Sequence, residues 1–404
     1  MRLLCLGTLL PLLAAPALGA EAPTVILLSW DGVRPDYLDR AEFPALERMA
    51  REGVRAERLI PVWPPNTFPN HVALATGTYS DRHGIVNNRF LDRERGPFSY
   101  ENDGAWIEAE PLWAAAERQG VPAATFFWVG SETDWNGTGA RYRKAPFDSS
   151  VSESEKVDQI LAWIDLPEAE RPRLVMSWWH GADAVGHASG PAHPAVARQL
   201  AAQDRELSRL LAGLDERGIW DRTTLIVVSD HGMVEVSEAI DLRRSLEADG
   251  IRARVMSGGG VAHVYLEDPG RTALAVRRMN AIEGVRAYAR AELPIELRGQ
   301  HPQRAGDVVA LTDPPRTFYR LTAIERGWVT LRDLLGHKRG MHGYDPDHPE
   351  MAAVFLALGR GVPSGLELGS PRAIDVAPTV ARLLGIEAPA SSEGLPIAGI
   401  GEAR

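Results

Sequence analysis

The stretch Thr24-Val25-Ile26-Leu27-Leu28-Ser29-Trp30 is nearly continuously apolar and stops at Asp31-Gly32. A run that does not alternate with polar residues predicts a strand covered on both faces, as in parallel sheets packed between helices. Leu174–Trp179 and Leu225–Ser229 repeat the pattern, the latter delivering Asp230-His231, and Ala352–Leu358 is a fourth such run. Helical spacing marks 43–52 (Phe43, Leu46, Met49, Ala50), 155–164, 194–216 and 374–384. Strands alternating with helices predict an α/β fold with a mostly parallel central sheet flanked by helices. Ligands of such sheets bind beyond the carboxyl ends of the strands. Asp31 and Asp230-His231 share that edge if their strands run parallel.

Residues 251–335 read differently. Short β-like pieces (Val261–Leu266, Val308–Leu311) surround a helical stretch at 271–282, after Ser257-Gly258-Gly259-Gly260. A small α+β cap inserted in a catalytic domain of residues 21–404 is expected. Ala390–Arg404 reads as terminal surface chain.

The N-terminus has its own signature. Met1-Arg2, an apolar run from Leu3 to about Leu13, and small residues at Ala14, Ala15, Ala17, Gly19 and Ala20 predict a secretory signal peptide over 1–20. No later segment reaches the ~18 consecutive apolar residues of a membrane span. The mature chain is therefore expected in the periplasm or outside the cell, without stable membrane insertion. Cys5 is the only cysteine of the 404 residues, so disulfides and thiolate ligands are not expected after cleavage. Removing residues 1–20 takes away Arg2 and no acid, moving the formal charge from −10 to −11. Such a balance argues against long nucleic acid as a partner but not against a small phosphate ester, because bound metals dominate the local field. The oligomeric state is not encoded in any visible pattern.

Asp31, Asp183, His187, Asp230, His231 and His342 lie where segments end or turn. Asp183 and His187 are four residues apart and would face one way on a helical turn. Any one of them alone would more often be a helix cap, a turn former or a solvated side chain. Together they supply what two adjacent divalent metals need, and the mixture of carboxylate and imidazole suits zinc, with manganese as the alternative. Thr67, in Asn66-Thr67-Phe68-Pro69-Asn70-His71, is either a helix N-cap or a metal-activated hydroxyl near the free N–H groups of a helix start. Asn88 is either a turn residue or an amide donor to charge developing on a phosphoryl oxygen. The combination points to hydrolysis of a phosphate ester.

The strand ending Ser29-Trp30-Asp31-Gly32, the Asn66–His71 stretch, Trp128-Val129-Gly130-Ser131, Asp183–His187, Ser229–Met233 and Met341–Asp345 occur in an order that resembles the nucleotide pyrophosphatase/phosphodiesterase family of the alkaline phosphatase superfamily. The resemblance runs from about residue 23 to about residue 387. It implies an alkaline phosphatase-like fold and two Zn2+, one held by Asp183, His187 and His342, the other by Asp31, Asp230 and His231 beside Thr67. It implies Thr67 as nucleophile, Asn88 as phosphoryl-binding amide, and two in-line displacements through a phosphothreonine. The base of a nucleotide substrate would stack between two aromatic rings, Phe68 and either Tyr142 or Phe147. His71 and His180 match no ligand position and read as structural.

The implied reaction is cleavage of nucleotide phosphodiester or pyrophosphate bonds with release of a nucleoside monophosphate. A sulfatase would need Cys or Ser and an Arg where Thr67-Phe68-Pro69-Asn70-His71 has neither. A monoesterase would want positive charge where neutral Asn88 stands. Phosphonate or choline-phosphodiester hydrolysis remains the alternative within the superfamily. A non-catalytic, metal-bound exported binding protein is the rival from another class.

Overall fold

The computed structural model describes residues 22–319 and 338–402. The signal-peptide segment and the 320–335 part of the expected cap lie outside them.

Strands β1 (Thr24–Trp30), β2 (Val54–Ala56), β5 (Ala123–Phe126), β6 (Tyr142–Lys144), β7 (Leu174–Trp179) and β8 (Thr223–Val228) belong to the main sheet, and β3 (Arg89–Asp92) and β4 (Gly96–Ser99) form a separate hairpin. With the strands Phe355–Gly359 and Leu366–Leu368 the main sheet has eight members, in the order 366–368, β2, 355–359, β8, β1, β7, β5, β6. All pairings are parallel except the two made by Phe355–Gly359. The sheet is thus mostly parallel, as the apolar runs require, with one strand reversed.

Every residue of β1, β7 and β8 is buried. Each large aliphatic side chain so covered contributes about 1.5–3 kcal/mol, which explains why these runs tolerate no alternation. Helices Pro44–Glu52, Glu153–Ile164 and Pro194–Arg217 pack together, as do Thr67–Thr76, Leu112–Arg118 and Val376–Leu384. Their apolar faces join the strands in one core.

A second sheet is wholly antiparallel, in the order 253–258, 261–266, 308–312, 285–289. Its alternation is legible in Val261–Leu266. Ala262, Val264 and Leu266 pack with residues of helices Leu242–Ala248 and Thr272–Asn280. Val261 turns the other way, to Trp63, and the His263 ring lies edge-on to Trp63 as well. The second face of this small sheet therefore sits on the body that carries Thr67.

Register places the site. Ser29 is level with Val228, so Asp31 and Asp230, each two residues further on, leave the sheet at the same height.

Candidate active site

Asp31 continues from β1, its N–H donating to the Trp179 carbonyl, and Gly32 turns the chain away at φ +70°. A Cβ on Gly32 would come within 3.0 Å of Asp183 Cα and Cβ. Glycine is needed here twice, for the left-handed backbone and for the close approach of a second acidic residue. Helix Gly181–Ser189 follows β7 and stacks Asp183 under His187, with Asp183 Oδ1 3.3 Å from His187 Nε2. Asp230 and His231 follow β8. The Ser229 hydroxyl there donates to the Val33 carbonyl and accepts from the Val354 N–H, locking the loop. His342 arrives after the short strand Arg339–Met341.

The six side chains converge. His187 Nε2 is 3.1 Å from His342 Nε2, which is 3.8 Å from Asp183 Oδ1. His231 Nε2 lies 3.5 Å from Asp31 Oδ1, 3.1 Å from Asp230 Oδ2 and 3.3 Å from Thr67 Oγ1. Two triads have ligand atoms all within 4.8 Å of one another, Asp183–His187–His342 and Asp31–Asp183–His231. Asp183 is common to both in this arrangement. Asp230 keeps one oxygen on the Gly32 N–H and turns the other between His231 and His71.

Hydrogen bonding behind each imidazole fixes what it offers. Nδ1 of His187 faces the Gly340 carbonyl at 2.9 Å, and that of His231 faces the Gly232 carbonyl at 2.8 Å. Both acceptors demand a proton on Nδ1, so in the neutral ring the lone pair lies on Nε2, the atom a metal would take. His342 Nδ1 meets Asn66 Oδ1 at 2.5 Å, and the amide orientation is secure because Asn66 Nδ2 donates to the Gly258 carbonyl and to Asn87 Oδ1. Three lone pairs thus point into the cluster together with Asp31 Oδ1, Asp183 Oδ1 and Asp230 Oδ2, buried oxygens without a hydrogen-bond donor. Two imidazole Nε2 atoms 3.1 Å apart, beside orphaned carboxylate oxygens, form a donor set that fits divalent cations.

In the protein alone this crowding shows in the acidities. Burial, reinforced by the charges of Asp230 and Asp183, raises the Asp31 carboxyl well above the ordinary range. Burial works the same way on Asp230, but His231 and His71 outweigh it and hold that carboxyl at about 2. Burial foremost, then His231 and His187, keeps His342 neutral far below the usual imidazole value.

Thr67 is the first residue of helix Thr67–Thr76, and Asn66, in extended conformation, is its N-cap. The Asn66 side chain makes no capping bond, being engaged by His342 and Asn87. The Phe68 N–H is taken by Asn88 Oδ1 at 2.8 Å, and Pro69 has none. The expected group of free N–H donors therefore shrinks to that of Thr67. Because Asn88 accepts through its oxygen, its NH2 is the end left to donate.

The aromatic residues divide. The Phe68 ring is buried and lies edge-on to Phe98 and to Tyr100, at 5.8 and 5.4 Å. Phe147 stacks on Trp178 at 4.7 Å, and Trp178 Nε1 donates to Asp31 Oδ2 at 2.9 Å, so Phe147 is one side chain removed from the cluster. Tyr142 is not brought there. It is level with Ala124, Val175 and Ile26, five residues before Asp31 along β1, or about 16 Å at the usual rise. Its hydroxyl is spent on the Glu170 carbonyl. His180 is half-buried beside Phe147 and Trp178, and His71 packs on Trp128 and Trp178 with Nδ1 toward the Thr67 carbonyl and Asp230. Asn66, Trp178 and Tyr100 join the site without having stood out in the sequence. Only Asn66, adjacent to Thr67, carried a positional hint.

Residues 25–345 match the family of type I phosphodiesterase / nucleotide pyrophosphatase. An uncharacterized pyrophosphatase/phosphodiesterase of Schizosaccharomyces pombe is 32% identical over 358 residues, 83% of this chain and 71% of that protein. A venom phosphodiesterase of Crotalus durissus collilineatus is 30% identical over 93% of this chain, which spans 46% of that longer protein. The solved structure of murine ectonucleotide pyrophosphatase / phosphodiesterase 5 has a TM-score of 0.82 at 26% identity, covering 90% of this chain and 96% of the other. An inactive threonine-to-alanine form of the murine protein in complex with AMP also scores 0.82, covering 91% and 96%. The family match takes in six of the eight strands of the main sheet and all of the converging Asp, His and Thr residues, and the chain belongs to the type I phosphodiesterase / nucleotide pyrophosphatase family.

Proposed function

We propose that this chain is a metal-dependent phosphodiesterase and nucleotide pyrophosphatase that transfers a nucleotidyl phosphoryl group to Thr67 and then to water. The observation that carries the reading is the convergence of three imidazole lone pairs and three orphaned carboxylate oxygens beside the Thr67 hydroxyl. Asp183, His187 and His342 would hold one Zn2+, and Asp31, Asp230 and His231 the other, with Mn2+ the alternative. Bound there, the ions would favour the ionised hydroxyl and stabilise charge on the attacking and leaving oxygens.

The protein's own part is positional. Thr67 Oγ1, held at the first turn of its helix, attacks phosphorus while the leaving alcohol or phosphate departs on the opposite side. Asn88, anchored through its oxygen to the Phe68 N–H, donates its NH2 to a phosphoryl oxygen as negative charge grows. Water then attacks the phosphothreonine, freeing the nucleoside monophosphate and restoring the hydroxyl. Phe147, with Phe68 beneath Tyr100, would contact the base, and Tyr142 has no part in it. The described residues of the expected cap, 251–319, would stand beside this opening. The relatives named as venom phosphodiesterases support a place outside the cytoplasm, and among the described residues no helix is long and apolar enough to cross a membrane.

The test compares kcat/KM on a nitrophenyl nucleotide diester and on nitrophenyl phosphate after zinc reconstitution. A strong preference for the diester is expected, and Thr67→Ala should abolish turnover while the protein still binds its metal. Full activity of that variant removes the nucleophile. Activity confined to phosphonate or choline esters would redirect the substrate assignment. Activity on none of them would favour a metal-bound binding protein.

A further inference from the structure

We propose that the 301–307 loop leading into strand Val308–Thr312 of the small antiparallel sheet is the mount that aims Asn88, and that Arg304 is its positioning residue. The proposal rests on the phosphoryl-binding role given to Asn88 above.

Asn88 stands in the loop between Gly84 and the β3–β4 hairpin. Arg304 comes from more than two hundred residues downstream and is 2% exposed. Its Nε donates to Asp92 Oδ2 at 2.8 Å, at the far end of β3. Its Nη1 donates to the carbonyls of Gly84 and Trp106, both at 2.8 Å, and its Nη2 lies 2.7 Å from Glu108 Oε1. One guanidinium therefore fastens both ends of the 84–92 stretch. A Cβ on Gly84 would fall 2.3 Å from Nη1, so the loop is drawn directly onto the planar group.

The same segment grips the hairpin and Glu108 at other points. The Tyr265 hydroxyl donates to the Arg304 carbonyl at 2.6 Å and accepts from the Leu91 N–H at 3.0 Å. The Arg93 N–H reaches the Gln303 carbonyl at 3.3 Å, and its guanidinium reaches Asp307 at 2.7 Å. His301 Nε2 meets Glu108 at 2.9 Å.

A buried ion network is a poor source of stability, because desolvation offsets most of the attraction and apolar residues of similar volume do as well. What a guanidinium adds is direction, through five donors in a rigid plane that a lysine cannot reproduce. Here those donors hold both ends of the stretch that carries Asn88 and tie it to Trp106 and Glu108. The small sheet thereby reaches the phosphoryl site without contributing a side chain to it.

A double-mutant cycle on kcat/KM for the nucleotide diester separates this role from plain stabilisation. Arg304→Lys keeps the charge and loses the fork. It should lower kcat by about 10–100-fold, the size of effect that follows a misplacement of about 1 Å, with KM and bound metal unchanged. In the Asn88→Ala background the same substitution should cost nothing further. Equal losses in both backgrounds, or wild-type kcat in Arg304→Lys, overturn the mount while leaving the role of Asn88 intact. Wild-type kcat/KM in Asn88→Ala itself overturns both. If Arg304→Lys does not fold, Asp92→Asn, which loosens the other end of the loop, is put through the same cycle with the same expected outcomes.

Discussion

Replacing Asn66 by alanine separates the two metal positions. The amide is fully buried, and its hydrogen bond into the cluster goes to His342. Its removal leaves the His342 Nδ1–H with no acceptor, a buried donor whose desolvation costs about 1–3 kcal/mol. Asn87 Oδ1 is spared, since it still accepts from the Asn88 N–H at 2.8 Å. The metal-free protein should therefore lose about 1–3 kcal/mol in urea denaturation. Loss of the partner behind a ligating histidine typically weakens metal binding by about 10–100-fold. Equilibrium competition against a chromogenic chelator should show two zinc steps in the wild type. Only the step assigned to Asp183, His187 and His342 should weaken in the variant. Asn66→Asp is the counter-variant. It keeps an acceptor for His342 but turns an oxygen toward the Gly258 carbonyl and Asn87 Oδ1, so it should hold zinc better than alanine does and still lose stability. If both steps weaken equally, or neither does, the assignment of Asn66 as the support of one ligand is refuted.

Gly32→Ala should cost about 1–2 kcal/mol for the left-handed backbone alone. It should also push Asp183 from a contact of 3.0 Å, so kcat/KM should fall together with the melting temperature; a variant as stable and active as wild type would show that neither constraint operates. Lys156 is buried, with Nζ donating to the Trp178 carbonyl at 3.0 Å, and burial lowers its ammonium from 10.5 to about 8. Between those values the unfolded chain binds more protons than the native one. This residue should therefore make stability rise with pH from about 8 to 10.5, by about 3 kcal/mol in all. Lys156→Met should flatten that rise in urea midpoints taken across the same range, and an unaltered slope would show that the ammonium is not penalised.

Much of the site was legible because its ligands obey local rules. An apolar run predicts where a strand ends, and Asp31 and Asp230-His231 stand at such ends, while Asp183 and His187 are one helical turn apart. What was not legible depends on register and on distant contacts. An apolar run reports burial but not direction, so nothing in Ala352–Leu358 announced that Phe355–Gly359 would run against its neighbours. Spacing after Trp128 could not separate Tyr142 from Phe147, because the choice is one of height along β6. Counting pairings through β5 and β7 leaves Tyr142 far from the strand ends and lets the chain reach them by Phe147. Trp178 and Arg304 read as ordinary core and surface residues until their N–H groups are seen on Asp31 and on Asp92.

The supports behind the cluster bear on which ester the site should prefer. All three imidazoles rest on uncharged acceptors, the carbonyls of Gly340 and Gly232 and the amide of Asn66. No carboxylate behind a histidine adds to the negative charge, which comes from Asp31, Asp183 and Asp230 alone. Two divalent cations in the proposed positions would leave one net positive charge while Thr67 keeps its proton, enough for the single charge of an arriving phosphodiester. The donor proposed beside Thr67, Asn88, is a neutral amide and offers a second anionic oxygen no further charge. A phosphomonoester dianion would meet the same opening with one charge uncompensated. Replacing Asn88 by lysine should therefore narrow the gap between nitrophenyl phosphate and the nucleotide diester, and a gap that does not change would place the discrimination in the aromatic contacts instead.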